Sequence, residues 1–242
     1  MIIACRAAAM LALLSAAAAY GQPRAFTPPR LLRAALPLLP GPTVVGAGEV
    51  IIELTVTETG VVTRPIPLRS TPPYTQLVLD AVSRWQFEPA RFVDEKGMES
   101  RVSTPVVVAA VYRPPTFVNA PTVGDPPKDL AAPSGDVAYP TALSMPVHPP
   151  QALEGAVLLF ELALDERAAV IQARPFGASF GYDGVTRDAL VRWRFRPATF
   201  RGRPAAASTY VVFGFPSPVI NPPFITPPVV TPAKPPGAPS QP

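Results

Sequence analysis

The sequence predicts an α+β protein made of two small domains, each a three-stranded antiparallel sheet ordered strand–strand–helix–strand with one packed helix. Three observations carry that expectation. A seven-residue pattern occurs twice, each copy switches from period-two to helical periodicity, and proline-rich stretches collect between and beyond the copies.

The repeat comes first. Trp85 and Trp193, the chain's two tryptophans, each stand in Arg-Trp-x-Phe-x-Pro-Ala, written RWQFEPA and RWRFRPA. They lie 108 positions apart (193 − 85), and the same ungapped offset pairs Glu53 with Glu161, Leu54 with Leu162 and Glu58 with Glu166. It continues through Pro67 and Pro175, Tyr74 and Tyr182, Asp80 and Asp188, Arg84 and Arg192, to Phe92 and Phe200. A period that long implies a duplicated domain, because solenoid repeats run to roughly 20–50 residues.

Within each copy the elements read alike. Val50, Ile52, Leu54 and Val56 alternate with Glu53, Thr55 and Thr57, and Leu158, Phe160, Leu162 and Leu164 alternate with Glu161 and Asp165. Such alternation predicts a half-buried strand whose polar members face water. Turns follow at Glu58–Gly60 and Asp165–Ala168, then returning strands over Val61–Leu68 and Ala169–Phe176, giving a hairpin in each copy. Thr75 and Asp183 are placed to cap a helix N-terminus. Behind them Leu77, Val78, Ala81, Val82 and Trp85, and Val185, Ala189, Leu190 and Trp193, fall at helical spacing. The tryptophans and the phenylalanines two residues on are expected in the core at the helix–strand junction. A final strand closes each copy after a turn glycine, Gly97 or Gly202.

At these residues the chain resembles the TonB C-terminal domain family. The stretches that carry the resemblance are GEVIIELTVTETGVV with LDAVSRWQFEPA, and GAVLLFELALDERAAV with YDGVTRDALVRWRFRPATFRGRP. They place one domain over residues 43–112 and a second over 153–215, and Tyr139-Pro140 echoes a Tyr-Pro that precedes such domains. The resemblance implies a periplasmic protein-binding module that captures a segment of an outer-membrane transporter or other envelope protein by adding it as a strand at a sheet edge. The last strand of each copy is the expected edge: Val106, Val108, Ala110 and Tyr112 in the first, Tyr210, Val212, Phe213 and Phe215 in the second. An alternative is purely structural: the two domains pack on each other or dimerise through their edges, both last strands are already paired in the free protein, and no exchangeable ligand is bound.

The remaining segments set the expected location. Residues 1–21 have one early positive charge, Arg6, an apolar run from Ala7 to Tyr20 and small residues before Gln22, which is the layout of an export signal. The protein is therefore expected in the periplasm. Retention of that segment would make it an inner-membrane-anchored, TonB-like component of outer-membrane energy transduction. The family's energy transducer uses a histidine in its N-terminal membrane helix, and this chain's only histidine is His148, in a proline-rich stretch. The chain has 36 prolines, concentrated in residues 22–42, in a linker over 113–152 and in a tail over 216–242. Proline's missing N–H and fixed φ exclude such segments from helix interiors and central strands. The tail favours extended polyproline II, about 3.1 Å per residue.

Composition excludes several function classes. Cys5 is the only cysteine and precedes the apolar run, so a chain cleaved before Gln22 has no thiol for disulfides, metal or catalysis. A net charge of +4 with scattered arginines lacks the dense basic stripe of a nucleic-acid binder. GAGE at Gly46–Glu49 precedes a strand, whereas a phosphate loop needs a helix after it. Glu53 with Glu161 and Asp80 with Asp188 are expected as solvated surface, one member in each domain, so neither pair converges on a substrate. Arg84 and Arg192 are expected near the helix ends, where positive charge complements the dipole. No enzyme, cofactor or metal is expected.

Overall fold

The computed structural model describes residues 26–40, 47–113, 134–143, 155–177, 183–190 and 192–215. The export signal, His148, most of the linker and the proline-rich tail lie outside the described residues. The N-terminal segment contributes strands β1 (Phe26–Thr27) and β2 (Arg30–Arg33). The first copy continues with β3 (Gly48–Val56), β4 (Val62–Arg69), α1 (Tyr74–Val82), β5 (Gln86–Glu88), β6 (Ala90–Val93), β7 (Glu99–Val102) and β8 (Thr104–Tyr112). The second has β9 (Tyr139–Ala142), β10 (Ala156–Leu164), β11 (Val170–Pro175), α2 (Asp183–Leu190), β12 (Arg194–Arg196), β13 (Ala198–Phe200), β14 (Arg203–Ala205) and β15 (Ala207–Phe215). The α+β class is as expected, with strands predominating over two helices among the described residues. Neither helix is long and apolar enough to cross a membrane.

Each copy forms the expected strand–strand–helix–strand unit, and the two units share one sheet. Its order is β11-β10-β15-β8-β3-β4. The hairpins β3–β4 and β10–β11 occupy the flanks, and β8 and β15 pair in parallel at the centre, with Val108 opposite Tyr210 and Val111 opposite Phe213. Parallel pairing of equivalent strands relates the copies by a rotation about an axis lying along those strands. Such a rotation puts the two helices on opposite faces of the sheet.

The core residues divide accordingly. On one face Val50, Ile52, Leu54 and Val56 meet Tyr74, Val78, Val82 and Trp85, joined there by Leu159, Tyr210 and Val212 of the second copy. On the other, Leu158, Phe160, Leu162 and Leu164 meet Leu190, Trp193 and Phe195, joined by Ile51, Val107, Ala109 and Val111 of the first. Each helix thus covers strands of both copies, and β8 and β15 are buried on both sides. That double burial explains why Val106–Tyr112 is an unbroken apolar run rather than an alternating one.

The tryptophans sit where expected, at 1% and 2% exposure, just beyond the helix ends. Trp85 packs edge-on against Tyr210 of the other copy and donates its Nε1–H to the Ala35 carbonyl at 2.8 Å. Trp193 packs edge-on against Phe213 of its own copy. Arg84, beyond the last turn of α1, donates Nε–H to the Asp80 carbonyl at 3.0 Å and so satisfies one of the helix's orphan carbonyls. Asp183 opens α2, but Thr75 does not cap α1. Pro73 takes the N-cap position with no side-chain bond, and Thr75 is the second residue of the helix, where its Oγ1 accepts from Thr71 N–H at 2.8 Å. The hydroxyl is spent closing the turn that leads into the helix.

The segments on either side of the expected domains take part in the fold as well. β2 pairs antiparallel with β5, and β9 pairs antiparallel with β12, so each copy carries a leading strand against the short strand after its helix. Tyr139-Pro140 is therefore structural: Pro140 lies opposite Phe195. β1 adds to the β6–β7 hairpin.

Candidate protein-interaction site

The eight residues expected at the capture edge are not at an edge. Val106, Val108, Ala110, Tyr112, Tyr210, Val212, Phe213 and Phe215 are all within 1% of full burial. They lie in β8 and β15, and each of these strands is flanked on both sides. The first copy's last strand has taken the second's as its neighbour, so no backbone donor remains there for a ligand. The sequence signal was present, since an edge strand with one wet face alternates and these two strands do not.

Among the described residues the free edges of the six-stranded sheet are the outer strands of the two hairpins, β4 and β11, and they differ. In β4 the bond from Thr57 N–H to the Val61 carbonyl fixes the phase of the ladder. Thr63 and Ile66, opposite Thr55 and Glu53, then face β3. Alternation leaves Pro65 and Pro67 facing outward, where neither has an N–H to offer. Arg64, just before Pro65, has a left-handed φ of 50°, at an irregularity in the register. Prolines and bulges of this kind are how natural sheets blunt an edge.

In β11 the bond from Phe176 N–H to the Leu159 carbonyl, 2.8 Å, sets the phase. Gln172 and Arg174, opposite Ala163 and Glu161, face β10. Ala173 then turns its N–H and carbonyl outward, beside the bulged and 56% exposed Ile171. In the repeat, Ala173 matches Pro65. Pro175, like its repeat counterpart Pro67, also faces outward without an N–H, so β11 is open at Ala173 and not along its whole length.

Beside β11 lies a cleft of about 450 Å³ on the sheet face that carries α1. Arg30, Glu88, Arg91, Glu99, Glu161 and Arg174 line it, three cations and three carboxylates, with Pro29 at its wall. Its floor corrects one expectation. Glu161 is buried at 8% exposure, not solvated. Its Oε1 accepts from Leu31 N–H at 3.2 Å, and its Oε2 accepts from Arg174 Nη2. The Tyr210 hydroxyl is 3.2 Å from Oε1 and 3.3 Å from the Pro29 carbonyl, sharing one proton between them. Burial, then the charge of Glu161, pushes the Tyr210 phenol far above its ordinary range, so it remains a donor. A buried carboxylate is tolerable only when paired and hydrogen-bonded in this way.

Glu53, its repeat partner, accepts from Ser134 N–H at 2.9 Å. Each copy's glutamate therefore holds the segment that leads into the other copy. Alternation put both on the face opposite their own helix, which is water-facing in an isolated domain and covered once the sheets merge. Other cross-copy bonds join the same region, including Thr209 Oγ1–H to the Val107 carbonyl at 3.0 Å. Among the described residues no group of three or more His, Cys, Asp or Glu side chains gathers as a metal site. No protein-family model matches this chain, and no curated protein matches it significantly.

Proposed function

We propose that this chain is an exported, non-catalytic binding protein of the cell envelope that works in the periplasm. Two TonB C-terminal-like modules, fused through their last strands, capture extended segments of envelope proteins by strand addition. The observation that carries the reading is the outward-facing N–H and carbonyl of Ala173 on β11, a flank of the six-stranded sheet whose opposite flank, β4, is blunted by prolines. Backbone bonding of that kind binds a ligand without demanding a particular side chain from the module. The doubled strand–strand–helix–strand unit supports the family resemblance, and fusion through the central pair moves the capture edge from the last strand to the second.

Crosslinking of the mature protein in envelope extracts, followed by identification of the products, tests the proposal. Recovery of a transporter or other envelope protein, competed away by excess unlabelled protein, is the expected result. The absence of any saturable envelope partner would remove the function. N-terminal sequencing of the periplasmic and membrane fractions checks the location, with a start at Gln22 expected.

A further inference from the structure

We infer that the β11 edge and the cleft beside it form one bipartite site, selective for an extended segment that carries an acidic side chain facing the cleft. The inference rests on the strand-addition reading above and adds the copy, the strand and the chemistry of the partner. Backbone geometry chooses the copy. Ala173 offers N–H and carbonyl outward, where the equivalent Pro65 of β4 offers no N–H.

Alternation fixes where a bound segment's side chains go. A strand added at β11 continues the pleat, so every second side chain falls on the same face as Gln172 and Arg174, over the cleft. The charges there are not equivalent. Glu161 is buried, and its two oxygens are already engaged by Leu31, Tyr210 and Arg174. Arg174 gives a single Nη2 bond to it among the described residues, and its side chain is 42% exposed. Arg30 is 59% exposed and reaches Glu88 only at 3.5 Å. A guanidinium has five N–H donors, so both arginines retain donors directed at solvent. An incoming carboxylate can take up bidentate bonds from them, while of the carboxylates at the cleft Glu161 is satisfied and Glu88 and Glu99 are each bonded by Arg91.

Binding of capped peptides to the full mature chain at low salt tests this. One peptide alternates valine with glutamate, a second replaces glutamate with glutamine, and a third with lysine. The glutamate peptide should bind about fivefold more tightly than the glutamine one and more tightly still than the lysine one, the preference shrinking as salt rises. Arg174→Gln should erase the glutamate–glutamine difference while leaving the glutamine peptide bound. Ala173→Pro, which gives the second edge the first one's chemistry, should abolish binding of all three. In the unaltered chain, amide exchange at Ala173 should slow on adding peptide, which keeps the question answerable if Ala173→Pro does not fold.

Equal binding of the three peptides, or slowed exchange confined to other strands, would overturn the site. So would a chain that is dimeric through β11, seen as a loss of the dimer in Ala173→Pro, since the edge would then belong to a second copy. If crosslinking still recovers an envelope partner in those cases, the general function stands and only this site falls. If peptides bind as described and no envelope partner exists, the reverse holds.

Discussion

The hairpin turns of the two copies close on the same backbone bonds and are held by different residues. In the first, Thr57 N–H bonds the Val61 carbonyl and Gly60 N–H bonds the Thr57 carbonyl. In the second, Asp165 N–H bonds the Ala169 carbonyl and Ala168 N–H bonds the Asp165 carbonyl. Gly60 and Ala168 both take left-handed φ, 82° and 64°. The first turn is pressed by a neighbour: Phe87 N–H bonds the Gly60 carbonyl at 2.9 Å, and a Cβ on Gly60 would meet the Phe87 carbonyl oxygen at 1.9 Å. The second compensates for its alanine with Asp165, whose Oδ1 accepts from Arg167 and Ala169 N–H at 2.9 and 2.8 Å. The lesson is that the copies have diverged by what each must fit against, while the ladder geometry has been kept.

The tryptophans probe that difference at the largest scale. Trp85→Ala and Trp193→Ala should each cost about 3–5 kcal/mol, the usual loss for a large buried aromatic. Because both cores share β8 and β15, each variant should lower one common unfolding transition. Calorimetry that resolved two transitions, one of them untouched by the substitution, would show that the halves are energetically separate. Gly60→Ala should cost less, about 3 kcal/mol, from the left-handed backbone and the clash with Phe87. Ala168→Gly should stay within about 1 kcal/mol of neutral, since relief of backbone strain opposes the greater freedom of the unfolded chain. Urea melts of the pair check both, and equal effects would erase the distinction between the turns.

Much of this arrangement was legible in the sequence, and the rest was hidden for physical reasons. Periodicity located the hairpins, both helices and the buried tryptophans, because each leaves a local pattern within one copy, even where, as at Trp85, the packing reaches Tyr210 of the other. The repeat also pointed to Glu53 and Glu161 without revealing their role. A polar residue on the far face of a strand reads as solvated unless something covers that face, and the covering element here lies in the other copy. β2 and β9 were missed for a related cause: they are short, they contain or adjoin proline, and they earn their pairing from β5 and β12 rather than from local pattern. The central pairing of β8 with β15 was marked by the unbroken runs Val106–Tyr112 and Thr209–Phe215, in which the one polar residue, Thr209, bonds the Val107 carbonyl across the junction.

The two glutamates give the finest version of the comparison, because the same residue at the same repeat position carries unequal loads. Glu161 is 8% exposed and holds a backbone N–H, a phenol and a guanidinium, whereas Glu53 is only half-buried and accepts one N–H from Ser134. Glutamine keeps one accepting oxygen but sets an NH₂ where the second oxygen stood. At position 161 that group would face the Arg174 guanidinium, donor against donor, and leave the arginine without its counter-charge. Glu161→Gln should therefore cost about 2 kcal/mol, the scale for disrupting a buried charge-assisted network. At position 53 the remaining oxygen can rotate to Ser134, so Glu53→Gln should cost less than about 1 kcal/mol. Denaturant titration of the two variants orders them, and amide exchange at Leu31 and Ser134 reads each tie directly. An equal loss at both positions would mean that the carboxylates act through surface charge alone, and the exchange of leading segments between copies would contribute nothing to holding the sheet together.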